Sequence, residues 1–485
     1  MGGQKTIKKN FIMNIILTMS SLIFPLITFP YVSRILLPVG TGKVSFAISV
    51  ITYFNMFAQL GIPTYGIRAC AKIRDDKEKL SKLAQELLFI NLIMSLFSYV
   101  FLACAIAFIP RLREDKILFI IVSMTIFLSA IGMEWLYKAL EQYTYITIRS
   151  LIFKFVGLGF MFLLIHKQKD YVIYGGITIF SASASNIFNF INVHKYIDFT
   201  HFDNYNLKQH LRPVFIFFAM SCATTIYTNL DTVMLGLMAS DVEVGYYNAA
   251  VKIKNILVSI VASLGTVLLP RASYYVERGE YNEFLRICKK AMNFTVIVAI
   301  PMLVYFTMFA REGILFLSGE AYIDSVIPMQ IIMPTLVFIG MTNILGTQML
   351  VPLGKEINVL WSEIFGAVTD LILNAVLIPR YGVIGAALGT LVAEFIVLAV
   401  QCLSVGRLSL EIYRQVHWIK ITLVTIFSIA IVNGIRGISL NSFIILLNSS
   451  CVFFGIYFLL LLFVKEPLVT EIVKQIITKL EEKLR

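Results

Sequence analysis

The stretch Tyr227–Lys254, YTNLDTVMLGLMASDVEVGYYNAAVKIK, reads as the end of one apolar helix, a short polar turn and the start of another. Asp231 falls inside the first helix; Lys252 and Lys254 fall inside the second. A charge placed inside a hydrophobic span costs about 3 kcal/mol, so it marks a functional or a paired position by default. The same pattern occurs near the start of the chain, in Ile35–Ile51, ILLPVGTGKVSFAISVI. Setting Gly42 against Gly245 places Ala47 against Ala250 and Val50 against Ile253. Repeated groups of helices are how many transporters are built, with the substrate site between the halves.

The composition agrees with a membrane protein. Of 485 residues, 58% are hydrophobic and 14% charged, and the mean hydropathy is +0.82. A soluble protein carries about 25% charged residues. The chain is therefore expected to be an all-α integral membrane protein. Its net charge of +12 is read as anchoring charge on cytoplasmic loops, with no nucleic-acid partner. The six cysteines lie singly, without a C-x-x-C pair, and the five histidines lack metal-ligand spacing, so no metal or other cofactor is expected. His194, His201 and His210 share one polar connection and are expected to be solvated. Lys5, Lys8 and Lys9 precede an apolar run, Phe11–Val32, that is too long for a signal-peptide core; it reads as a retained first span.

Hydropathy divides the chain into about 14 spans. The first six are Phe11–Val32, Val44–Leu60, Leu83–Ile109, Ile117–Trp135, Leu151–Ile165 and Tyr171–Ile191. The next six are Pro213–Leu237, Gly245–Leu269, Ala291–Phe309, Val326–Leu350, Val359–Ile378 and Ile384–Leu403. Ile419–Val432 and Ser442–Val464 are extra. Bends are expected at Pro25 and Pro30 in the first span and at Pro328 and Pro334 in the tenth. The expected division is an N-lobe over residues 1–200, a C-lobe over 201–410, and the last two helices with an amphipathic tail over 411–485. The polar connection Asn192–Arg212 separates the lobes, and the tail is expected to lie on the membrane surface. With a cytoplasmic N-terminus, roughly 28 Lys and Arg fall on cytoplasmic segments and roughly 10 on outer loops. Both termini are then cytoplasmic. Six helices per half make the repeat parallel, a pseudo-twofold about the membrane normal.

No phosphate-binding G-x-x-x-x-G-K-[ST] run is present, and no paired-Asp glycosyltransferase motif stands at a helix end, so no catalytic residues are assigned. Asp75–Asp76 lies among Arg74, Lys77, Glu78 and Lys79 and reads as a solvated loop. The informative charges lie in or at the edge of spans. The basic set is Arg34, Arg149, Lys154, Lys252 and Lys254; the acidic set is Glu134, Asp231, Asp370 and Glu394. Arg34 could simply snorkel to the outer interface and Arg149 could anchor the end of span five. Lys154 and Lys252 lie deeper. Asp370 and Glu394 are open to a structural pairing between spans eleven and twelve. Lys and Arg lining a space between two lobes suit an anionic substrate, because phosphate takes Arg forks and Lys point charges. Carboxylates in the same spans can bind a cation, which would couple transport to a Na+ or H+ gradient; for Asp231 the alternative is a salt bridge to Lys252 or Lys254.

Four stretches carry a family resemblance: Pro30–Ala47 (PYVSRILLPVGTGKVSFA), Gln59–Leu83 (QLGIPTYGIRACAKIRDDKEKLSKL), Gly132–Lys154 (GMEWLYKALEQYTYITIRSLIFK) and Leu230–Ile253 (LDTVMLGLMASDVEVGYYNAAVKI). In these the chain resembles the polysaccharide (O-antigen and teichoic-acid type) flippases of the multidrug/oligosaccharidyl-lipid/polysaccharide exporter superfamily. It departs from them at Thr41-Gly42, where an aromatic-Gly pair is commoner. The resemblance implies a MATE-like fold, two six-helix bundles in a V with the last two helices alongside. It implies a polyprenyl-diphosphate-linked oligosaccharide as substrate, moved by alternating access across the bacterial plasma membrane. By motif, the cationic cavity residues would be Arg34, Lys154 and Lys252, with Arg149, Glu134 and Asp231 in the same motifs. A monomer is expected, working beside a polymerase and glycosyltransferases of one pathway. A drug or organic-cation exporter of the same superfamily would want an acidic cavity. A membrane polymerase or acyltransferase would want a catalytic cluster and a large outer loop, whereas the outer loops here are at most about 16 residues.

Overall fold

The computed structural model describes residues 2–200, 202, 204–433 and 441–484; His201 and both terminal residues lie outside them. Every described element is helical, with no strand among the described residues. Among the described residues eight helices are long and apolar enough to cross a membrane, or up to 11 if each of three bent pairs is one span. Fourteen is thus not a count that helix length alone returns. The difference falls on identifiable segments. The apolar helix Lys116–Gly132 has only 17 residues. The segment expected as span six is interrupted: helix Tyr171–Ile179 passes through a π-helical turn, Phe180–Ala184, into Asn186–Asn192.

The helical run Gly2–Gln59 is 58 residues long. Straight, it would reach about 87 Å, nearly three times the roughly 30 Å of a bilayer's hydrocarbon core. It is broken at Leu37, with φ 58° and ψ 178°. The break sits directly before Pro38, whose ring disfavours helical backbone in the preceding residue. Pro25 and Pro30, the expected bend sites, lie inside the helix and neither has non-helical φ/ψ. In the tenth expected span the helices Glu320–Ile332 and Thr335–Leu350 meet at 46°, at Pro334, as expected of a residue that removes a helix hydrogen bond.

The chain packs as two compact units, Met1–Gly245 and Tyr246–Arg485. Helix Lys208–Met238 falls in the first unit. Helix Lys208–Met238 lies against the run Gly2–Gln59: a Cβ on Gly236 would meet the Phe46 ring at 2.1 Å, Tyr53 donates to the Ile226 carbonyl, and the Phe57 and Phe218 rings are 5.4 Å apart. Nor is the polar connection before it a free linker. Gln85 Nε2 donates to the carbonyls of Asp198 and Thr200 at 2.7 and 3.2 Å. The Tyr205 hydroxyl donates to Gln85 Oε1, and the Asn206 N–H donates to Glu86. Two buried side chains of helix Lys77–Phe108 thereby satisfy backbone groups that would be costly unpaired at a membrane edge.

In the second unit, helices Glu356–Tyr381 and Val383–Val405 are joined through Gly382 alone. Their close approach needs Gly389, where a Cβ would meet Asn374 Oδ1 at 2.4 Å. The π-helical stretch Asn343–Leu350 turns Gln348 toward the chain at Gly265, to whose carbonyl its amide donates at 2.6 Å. The final helix, Pro467–Leu484, begins docked rather than loose. Glu466 is fully buried, accepting from Asn293 Nδ2 and the Val469 N–H, with His417 Nδ1 at 3.2 Å.

Candidate functional site

The motif Gly132–Lys154 forms a sharp corner. Helix Lys116–Gly132 ends at Met133 in the left-handed region, φ 41°. Short helix Glu134–Ala139 follows, then helix Tyr143–Leu164. Asn189 closes the corner by donating to the Gly132 carbonyl at 2.8 Å and accepting through its own carbonyl from Tyr137 at 2.6 Å. Gly132 is required there, because a Cβ would meet Asn186 at 2.5 Å.

The corner fixes Arg149. Its guanidinium is buried and donates to the Ser185 carbonyl at 2.9 Å and to Asn186 Oδ1 at 3.4 Å. Glu134 stands 3.8 Å away and is itself paired with Lys138 at 2.8 Å. Arg149 is therefore part of the scaffold, its charge shared with Glu134 and with carbonyl dipoles.

Lys154 lies one turn further along the same helix and is held differently. Its ammonium donates to Ser20 Oγ and Ser21 Oγ at 2.8 and 2.9 Å. Both hydroxyls pass their own hydrogens to the Leu17 carbonyl, which leaves their lone pairs for the ammonium. The Phe24 ring lies 5.9 Å from the Nζ. Among the described residues no carboxylate comes within 4 Å of it. The ammonium's direct partners are neutral hydroxyls, and the Glu134 carboxylate acts on it only from beyond ion-pairing distance.

The other expected site residues separate into surface and core. Arg34 is exposed and donates to the Pro30 carbonyl of its own helix. Asp231 is buried on helix Lys208–Met238, Lys252 is half-buried on helix Asp241–Glu277, and Asp370 and Glu394 are buried on neighbouring helices. All four carry interactions with other groups of the protein. Asp370 stands beside the Gly389 approach, 2.9 Å from the position of an added Cβ.

Three polar clusters were not anticipated. His210, expected to be solvated, is buried; its Nε2 is 2.7 Å from Glu86 and its Nδ1 is 2.8 Å from the Tyr65 hydroxyl. The signal available was Glu86, a carboxylate about one turn inside the apolar run that begins at Leu83. Arg111 pairs with Asp241 and with Glu114, donates to the Gly236 carbonyl at 2.9 Å and covers the Phe46 ring. Burial by itself would lower the Arg111 pKa, but the two carboxylates outweigh it and raise it. Lys43 and the Tyr171 hydroxyl both donate to Asp115, at 2.8 and 2.7 Å. Asp76 is not merely solvated. It caps helix Lys77–Phe108, accepting from the Lys79 N–H at 3.1 Å, and the Lys79 side chain and backbone hold its carboxyl below the usual range.

Comparison with known proteins agrees with this architecture. Over 402 residues the chain is 22% identical to an Escherichia coli (strain K12) protein named "Putative O-antigen transporter", covering 82% of this chain and 97% of that one. A Shigella dysenteriae protein of the same name is 25% identical over 403 residues, covering 80% and 98%. Among solved structures, the lipid II flippase MurJ in an inward closed conformation superposes with a TM-score of 0.73 at 18% identity, over 94% of this chain and 99% of that one. An inward-facing multidrug resistance MATE family transporter superposes with a TM-score of 0.63 at 14% identity, over 82% and 98%; both likenesses concern the fold. Residues 217–376 match the MatE family, and residues 7–276, more than half of the chain, match the family described as Polysaccharide biosynthesis protein. The chain is an all-helical multi-pass membrane protein and belongs to that polysaccharide biosynthesis family, within the multidrug/oligosaccharidyl-lipid/polysaccharide exporter superfamily.

Proposed function

We propose that this protein is a flippase that carries a polyprenyl-diphosphate-linked oligosaccharide across the bacterial plasma membrane by alternating access, with both termini cytoplasmic. The observation that carries this reading is Lys154: an ammonium on an apolar helix, held by two serine hydroxyls with no carboxylate in ion-pairing range among the described residues. An ammonium held by hydroxyls rather than by a carboxylate favours an anionic ligand in low dielectric, and a diphosphate accepts charge-assisted hydrogen bonds stronger than neutral ones. Arg34 and Lys252 are proposed to serve the same headgroup, and Asp231 to link transport to a cation gradient. The names of the similar proteins, an O-antigen transporter and a lipid II flippase, support a lipid-linked glycan as the substrate class.

Reconstitution tests the reading. Proteoliposomes loaded with a fluorescent polyprenyl-diphosphate oligosaccharide should show protein-dependent loss of label to a membrane-impermeant quencher, and no uptake of a lipophilic organic cation. Cation uptake without flipping would replace this reading with a drug exporter.

A further inference from the structure

The first unit carries a groove of about 560 Å3 that the Lys154 site does not use. Helix Ile62–Lys72, the start of helix Lys77–Phe108 and the start of helix Lys208–Met238 wall it. Four cations line it, Arg68, Lys72, Lys79 and Lys82, while Leu83, Pro213 and Phe217 line its apolar side. The Glu86–His210 pair, 2.7 Å apart, also lies in its wall. Among the described residues, Lys79 is ion-paired, to Asp76 at 2.7 Å. Among the described residues no carboxylate lies within 4 Å of Arg68, Lys72 or Lys82.

A second basic groove, of about 480 Å3, lies in the other unit and is lined by Arg286, Lys289 and Lys290. There every cation is matched: Arg286 by Glu283 at 2.5 Å, Lys289 by Glu411 at 3.9 Å and Lys290 by Glu471 at 2.8 Å. Basic loops of this chain thus come in a neutralised form and an open form. The open one sits where two apolar spans begin, with phenylalanine and proline on one wall and, on the other, cations that have no carboxylate within 4 Å among the described residues. Inorganic ions need no apolar wall. A phosphate-bearing lipid has both halves of this complement, a headgroup for Arg and Lys and an acyl region for Phe217 and Leu83.

We propose that this groove binds the phosphate headgroup of an anionic bilayer lipid, held by Arg68, Lys72 and Lys82. The inference does not depend on which substrate the protein exports. Each cation near an anionic surface accounts for roughly a fivefold preference, so three together give on the order of a hundredfold. The full-length protein in nanodiscs of equal phosphatidylglycerol and phosphatidylcholine should retain phosphatidylglycerol selectively when released for native mass spectrometry. The triple variant Arg68→Gln, Lys72→Gln, Lys82→Gln should lose that selectivity at least tenfold. The charge-keeping triple variant Arg68→Lys, Lys72→Arg, Lys82→Arg should retain it, which separates charge from folding. Arg286→Gln, Lys289→Gln and Lys290→Gln in the matched groove should leave it unchanged. Equal retention by wild type and the Gln variant overturns the proposal. So does displacement of the lipid by millimolar inorganic phosphate, which would mark a site for free phosphate rather than for a lipid.

Discussion

A Cβ on Gly42 would lie 1.8 Å from the carbonyl oxygen of Asp241. The relation is reciprocal, since a Cβ on Gly245 would lie 2.2 Å from the carbonyl oxygen of Pro38. The alignment that pairs Gly42 with Gly245 also pairs Pro38 with Asp241. Each glycine therefore packs on the residue four before the other. The aligned alanines, Ala47 and Ala250, are both fully buried, and Val50 and Ile253 are each 7% exposed.

Gly42→Ala and Gly245→Ala should each destabilise the protein, because the obstructing atoms are backbone and cannot rotate away. Overpacking of this kind costs about 1–3 kcal/mol. Thermal unfolding in detergent should show a lowered midpoint for both, whereas Gly455→Ala, with no neighbour within 4 Å, should match or exceed wild type. Unchanged midpoints in the first two would remove the reciprocal contact from the account.

The Glu86–His210 pair should act as the latch of the 193–207 connection. Its side chains are only 2% and 4% exposed, and breaking a buried pair by removing one partner costs roughly 3 kcal/mol. Glu86→Ala should expose the connection to limited proteolysis near residues 198–206, since Glu86 also holds the Asn206 N–H. His210→Gln, which keeps a donor at this position, should be milder. Equal protease resistance in wild type and Glu86→Ala would show that Gln85 alone pins the segment.

What the sequence disclosed and what it withheld follow from range. The repeated turn, the apolar spans and the break at Pro334 depend on neighbours in the chain, and all are readable there. The pairing of Arg111 with Asp241 joins residues 130 apart, and that of Glu86 with His210 joins residues 124 apart; in each case one partner reads as an ordinary loop residue. The polar stretch before helix Lys208–Met238 reads as a linker, and only the bonds from Gln85 and Glu86 reveal that this stretch is tied down. Arg149 and Lys154 lie in one motif and both read as site cations. Their roles part at the next contact outward, carbonyls and Glu134 for the first, serine hydroxyls for the second.

Asp231 offers a test of ion coupling. A carboxylate buried in a span is costly unless it is paired or ion-bound. Asp231→Asn should reduce flipping driven by a sodium or proton gradient while leaving the gradient-independent exchange of labelled lipid in place. Undiminished flux with an unchanged response to both gradients would take Asp231 out of the coupling role.

The central claim, that Lys154 presents to an anionic headgroup an ammonium held by hydroxyls rather than by a carboxylate, is tested most directly by flipping rate in proteoliposomes. Lys154→Ala and Lys154→Gln should each lower the rate for the diphosphate-linked oligosaccharide by about tenfold or more, as expected for loss of one charge-assisted hydrogen bond worth roughly 1.5–3 kcal/mol. Both variants should keep the wild-type unfolding midpoint, because neutral serines can close around a neutral side chain. A wild-type flipping rate in Lys154→Ala, at equal reconstituted protein, would contradict the account.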